Sequence, residues 1–64
     1  MNISINGESF ITEQTILEQV ISEFGATPPF AIAVNGDFVP KSNYQEFTVS
    51  EGDLVDIVSP IFGG

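Results

Sequence analysis

Apolar and polar residues alternate without a break at the start of the chain. Met1, Ile3 and Ile5 are apolar, while Asn2, Ser4 and Asn6 are polar. A period of two predicts a strand with one buried face. Asn6-Gly7 follows, a pair suited to the two positive-φ positions of a tight hairpin turn. Residues 8–12 then run back as a second, shorter strand with Phe10 or Ile11 pointing inward. At Thr15 the period changes. Thr15-Ile16-Leu17-Glu18 has the form of a capping box, in which the Thr15 hydroxyl accepts from the Glu18 N–H and the Glu18 carboxylate accepts from the Thr15 N–H. The helix it opens is expected over 16–24, with Ile16, Leu17, Val20, Ile21 and Phe24 in one stripe. Gly25 suits the left-handed residue that ends a helix, and Pro28-Pro29 prevents the helix from resuming.

Residues 30–34 are apolar throughout, as expected of a strand near the middle of a sheet. Ala31 and Ala33 are small enough to let the helix approach closely. Asn35-Gly36 is a second tight-turn pair. A short returning strand over 37–39 is ended by Pro40, which cannot donate to a ladder. Residues 41–44 form a turn or a short 3₁₀ segment, and 47–49 add a brief strand or plug the core. After a turn at 51–53, residues 54–59 make the last strand, dense in β-branched side chains and central in the sheet. The single substantial helix must pack its stripe on that sheet. The expected class is therefore α+β. It is the β-grasp, or ubiquitin-like, arrangement: a small mixed sheet covered on one face by a single helix, with the first and last strands as parallel neighbours. Residues 1–60 form this domain, and 61–64 form a flexible tail ending in Gly-Gly.

Composition narrows what such a domain can do. At 64 residues the chain buries only about 60% of the surface its unfolded form exposes. That leaves little interior for an enzyme's cleft, which argues against a catalyst. The apolar share of 42% against 16% charged fits a compact fold rather than a disordered chain. The apolar runs are too short to span a bilayer, and the N-terminus lacks the basic start and apolar core of a signal peptide, so a cytoplasmic location is expected. The net charge is −8, with Lys41 the single basic residue. This leaves no cationic footprint for nucleic acid or an anionic membrane. Such acidity suits a basic docking surface on a partner, and it serves solubility equally well. The absence of cysteine and histidine excludes disulfides, Cys/His zinc sites, cysteine nucleophiles and histidine triads.

The candidate chemistry then lies at the end of the chain. Asp53 and Asp56 should diverge across a strand, so no metal site and no catalytic side chain are expected. Phe10, Phe24, Phe30, Phe38 and Phe47 fall on inward positions and read as core. Phe62 lies beyond Pro60, and Ile61-Phe62 reads as an anchor for a partner's groove, the alternative being that both fold back onto the sheet. Gly63 and Gly64 carry no Cβ, so they can thread a narrow channel and deliver the Gly64 carboxylate as the one reactive group. The plain alternative is a frayed terminus.

The whole chain resembles the ThiS family, the small sulfur carriers of thiazole formation in thiamine biosynthesis. The likeness rests on the length, on Thr15-Ile16-Leu17-Glu18, on the segment from Ile32 through Asn35-Gly36-Asp37-Phe38-Val39-Pro40, on Glu51-Gly52-Asp53 with Val55, Ile57 and Val58, and on Gly63-Gly64. The resemblance implies that Gly64 is covalently modified. A ThiF-type adenylating enzyme would use ATP and magnesium to form an acyl-adenylate. A sulfur donor such as a cysteine desulfurase would convert it to a thiocarboxylate, and ThiG, the thiazole synthase, would take the sulfur. Ile61, Phe62 and Gly63 would form the partner-binding tail, and the chain itself would bind no cofactor. Two features depart from the pattern: Phe62 stands where a small residue is commoner, and Pro60 is more typical of MoaD, the sulfur carrier of molybdopterin synthesis. A MoaD-like carrier for molybdopterin or another sulfur-containing metabolite, a ubiquitin-like modifier and a plain ubiquitin-like interaction module are the alternative readings.

Overall fold

The computed structural model describes residues 1–59; Pro60, Ile61, Phe62, Gly63 and Gly64 lie outside the described residues. Strand β1 (Asn2–Ile5) and strand β2 (Glu8–Ile11) form the expected antiparallel hairpin. Asn6 and Gly7 turn it with φ of 54° and 85°. Ile3 pairs with Phe10, which decides the facing of β2. Phe10 packs against the core, and Ile11 is 77% exposed on the other side. Helix α1 (Leu17–Phe24) crosses one face of the sheet. Strand β3 (Ala31–Val34) and strand β4 (Asp37–Val39) make a second hairpin through Asn35-Gly36. A 3₁₀ turn at Lys41–Asn43 and an irregular stretch lead to strand β5 (Leu54–Val58).

The five strands lie in the order β2-β1-β5-β3-β4. β1 and β5 are parallel, and every other pair is antiparallel. This is the β-grasp arrangement expected from the residue pattern, with the last strand in the middle.

The helix start differs from the expected capping box. Ile16 is extended and pairs in an isolated antiparallel bridge with Thr48, so α1 begins at Leu17 and its start has no side-chain cap. The free N–H groups of the first turn are satisfied by backbone carbonyls instead. Leu17 N–H donates to Phe47 O at 2.9 Å, and Glu18 N–H donates to Tyr44 O at 3.1 Å. The Thr15 carbonyl accepts from Val49 N–H at 2.7 Å. A remote segment has taken the place of Thr15 as the cap, because it lies where the orphan donors point. At the other end Gly25 is left-handed, with φ 91°, and its N–H returns to Ile21 O.

The core is mostly aliphatic: Ile3, Ile5, Leu17, Val20, Ile21, Ile32, Val34, Val39, Val49, Val55 and Ile57, with Tyr44. None of the five phenylalanines expected inside is fully buried. Phe10, Phe30 and Phe47 are half-buried at the margin. Phe24 is partly exposed and packs edge-on against Phe10, with centroids 5.7 Å apart and planes at 75°. Phe38 is 67% exposed on the far side of the sheet. A two-turn helix over a short sheet leaves a thin slab, which branched aliphatics fill and large rings can only rim. Tyr44 is the buried aromatic, stacked on Phe30 at 6.2 Å, and burial pushes its phenol above the ordinary value. Thr12, the buried polar side chain, donates to the Glu23 carboxylate and accepts from Gln14 N–H, tying the end of β2 to the helix.

Candidate functional site: the central strand and the helix-free face

The expected site residues follow β5 in the sequence, so the site is built on how β5 is held. Both neighbours of β5 turn away into Asn-Gly turns, and both asparagine side chains take over where the backbone ladder stops. Beyond the last parallel pair, Ile5 with Val55, Asn6 N–H donates to Val55 O at 2.9 Å, and Asn6 Oδ1 accepts from Ile57 N–H at 2.8 Å. On the other side Asn35 N–H donates to Leu54 O at 2.7 Å, and Asn35 Oδ1 accepts from Leu54 N–H at 2.9 Å. Asparagine fits this double duty: it tolerates the positive φ of the turn, and its amide oxygen imitates a backbone carbonyl. β5 is therefore clamped on both edges.

The register assigns the two faces. Ile32, Val34, Val39, Val55 and Ile57 face the helix and are buried. Ala31 pairs with Val58, and Ala33 lies between Asp56 and Phe38, so these five side chains share the helix-free face. Leu54 joins them across from Ser4. This corrects the expectation that Ala31 and Ala33 admit the helix: Ile32 and Val34 meet it, and the alanines lie on the opposite side. The result is an uncovered apolar area in which Phe38 is 67%, Val58 62% and Leu54 57% exposed. Its other half, over β1 and β2, is polar apart from the exposed Ile11: Ser9 Oγ donates to Asn2 Oδ1 at 2.9 Å, and Glu51 accepts from Asn2 N–H. Asp56 is the carboxylate set inside the apolar half. An uncovered apolar area with one charge in it is a surface fit to dock another protein and fix its register.

Asp53 is used in its own turn, accepting from Ser50 N–H at 2.8 Å and from the Asn35 amide at 3.0 Å. Among the described residues, no group of three or more His, Cys, Asp or Glu could hold a metal ion, and no helix is long and apolar enough to cross a membrane. The expected site residues Ile61, Phe62, Gly63 and Gly64 all lie outside the described residues. The uncovered apolar face was not read from the pattern. A signal for it exists: one helix covers one face, so a sheet whose central strands are apolar on both sides must expose the other.

Three comparisons bear on this arrangement. The sequence model of the ThiS family matches residues 2–64. A thiazole synthase of Paramagnetospirillum magneticum is 37% identical over 67 residues; the match takes in all of this chain and 20% of that protein, so the chain spans about a fifth of this curated relative. The crystal structure of a thiamine biosynthesis protein (ThiS) from Geobacter metallireducens superposes with a TM-score of 0.82 at 20% identity, covering all of both chains. That likeness is one of fold. The family match runs over nearly the entire sequence and through both final glycines, and on it the chain belongs to the ThiS family.

Proposed function

We propose that this protein is the sulfur carrier of thiazole formation in thiamine biosynthesis, with the Gly64 carboxylate as the group that is loaded. The observation that carries the reading is the family match, which extends through Gly63 and Gly64. A carboxylate is a poor electrophile because it is already an anion without a leaving group. Adenylation by a ThiF-type enzyme, with its own ATP and magnesium, supplies AMP as the leaving group. Sulfur from a donor such as a cysteine desulfurase then gives the thiocarboxylate, which ThiG consumes. The chain acts as a co-substrate, and the catalytic side chains and the nucleotide belong to its partners. The thiazole synthase of which a domain like this one forms a fifth supports a synthase as the receiving partner. The apolar face of Phe38, Val58 and Leu54, with Asp56, is the surface on which the partners dock, and Ile61-Phe62 follows it into their channel.

The test is the intact mass of the protein after incubation with a ThiF-type enzyme, ATP, magnesium and a sulfur donor. One sulfur-for-oxygen exchange, mapped to the C-terminal peptide, is expected. Failure to form even the acyl-adenylate would overturn the carrier role.

A further inference from the structure

Strand β2 forms one edge of the sheet. Thr12 N–H donates to Met1 O at 2.9 Å and the Met1 nitrogen donates to Thr12 O, so these two residues exchange hydrogen bonds. Bonded and non-bonded pairs alternate along an antiparallel ladder. Ile3-Phe10 and Ile5-Glu8 are therefore bonded pairs, and Ser9 and Ile11 turn their backbone groups away from β1. Their opposite numbers on β1 agree. Ser4 N–H donates to Asp53 O at 2.9 Å, and Asn2 O accepts from Gly52 N–H at 2.8 Å, both away from β2. Two N–H and two C=O groups of β2 thus point outward, none with a partner among the described residues. The opposite edge is poorer: β4 has three residues, stops at Pro40, and turns out only the groups of Phe38.

The side chains along this edge decide what pairs with it. Glu8 pairs with Ile5 and Phe10 with Ile3, so both lie on the helix side, and Glu8 is exposed there. Phe24 of α1 packs edge-on against Phe10 and is 40% exposed. Two residues past Phe10, Thr12 donates to the exposed Glu23 carboxylate. The helix side of the edge is therefore a carboxylate, an aromatic pair and a second carboxylate in two-residue steps. Lys41 follows β4 at the other edge. A second copy fits badly. The antiparallel register that engages all four outward groups sets Ser9 against the second copy's Ile11, and Glu8 against its Thr12 and Glu23. Carboxylates then face each other twice across the seam, and like charges set opposite are destabilising. A strand of positive charge meets the same carboxylates as ion pairs.

We propose that the β2 edge receives an extended basic segment of a protein partner as a further strand of the sheet. An apolar side chain of that segment covers Phe10 and Phe24, and a lysine or arginine two residues to either side faces Glu8 and Glu23. Main-chain bonds to Ser9 and Ile11 hold the segment, and its alternating side chains give the selectivity. β2 and β4 are opposite edges, so the seat is separate from Phe38, and a strand held here leaves the apolar face free. This goes beyond the carrier reading and does not depend on what becomes of Gly64.

The experiment is amide NMR of the full isotope-labelled chain. The probe is a blocked seven-residue peptide with valine at its centre, lysine two residues to either side and threonine elsewhere. On titration the Ser9 and Ile11 amide shifts should move, and exchange of both amides with solvent should slow. Replacing both lysines of the peptide by glutamate should weaken binding at least about tenfold, and added salt should weaken binding of the lysine peptide. Ser9→Pro removes an outward donor without breaking the β1 ladder, as proline allows on an edge strand. It should abolish binding with the other sheet amides unmoved. Glu8→Lys, at an exposed position, should weaken the lysine peptide and strengthen the glutamate one, and it keeps the test if the proline variant misfolds. The proposal is overturned if Ser9 and Ile11 do not respond at millimolar peptide, if Phe38, Leu54 and Val58 respond in their place, or if the two peptides bind alike. Ser9 and Ile11 shifts that depend on protein concentration without peptide overturn it too, since a second copy would then occupy the edge.

Discussion

Asn6 performs two tasks that no other residue type combines as cheaply. Its backbone adopts φ 54°, and its side-chain oxygen accepts the Ile57 N–H at 2.8 Å. Glycine would keep the first and lose the second. The Ile57 N–H would then be left in a partly buried setting without a partner, at a cost of about 1–3 kcal/mol. Asn6→Gly should therefore lower the stability by that amount in urea unfolding, with an unchanged dependence on denaturant. An Asn6→Gly protein as stable as the parent would mean that the amide oxygen carries no weight. The Asn-Gly pair itself was readable in the sequence as a turn. Its grip on the last strand, fifty-one positions away, was not, because nothing local marks an acceptor for a remote amide.

The helix makes the same point for elements. Thr15-Ile16-Leu17-Glu18 matches the capping-box pattern, but the Glu18 N–H is taken by Tyr44 O and the Leu17 N–H by Phe47 O. Thr15→Ala should then change stability by less than about 0.5 kcal/mol, in place of the roughly 1 kcal/mol typical of a lost cap. Gly25→Ala, at φ 91°, should cost about 1 kcal/mol or more from the left-handed backbone alone. Thermal unfolding of the two variants side by side checks the contrast. Much of the architecture was legible where the pattern has a period: the alternation of β1, the stripe of α1, and the two Asn-Gly turns. It failed where a strand is apolar on both sides, since Ala31, Ile32, Ala33 and Val34 carry no period from which to tell the helix side from the open side. It failed again for the helix cap, a set of backbone contacts about thirty residues apart that leaves no trace in side-chain chemistry. Of the candidate site, the uncovered apolar face emerged only from register, and the expected residues 61–64 lie outside the described residues.

At the scale of the molecule, the fold divides its labour between two faces. One is sealed by the helix; the other is left apolar around Asp56. Phe38→Lys tests this division. Phe38 is exposed on an edge strand where lysine is well tolerated. The unfolding midpoint should hardly move, while affinity for a ThiF-type partner, read by calorimetry, should fall at least about tenfold, as for loss of an aromatic anchor. Unchanged affinity would place the docking surface elsewhere.

The parallel pairing of β1 with β5 has a mechanical consequence. The two strands point the same way, and each pairs over only two residues, Ser4 with Leu54 and Ile5 with Val55. A pull between the start of β1 and the end of β5 therefore slides one strand along the other. The crossing hydrogen bonds, including the Asn6 clasp, must yield together rather than one at a time. A pull on the end of β5 against the start of β1 thus loads the sheet along its most resistant direction.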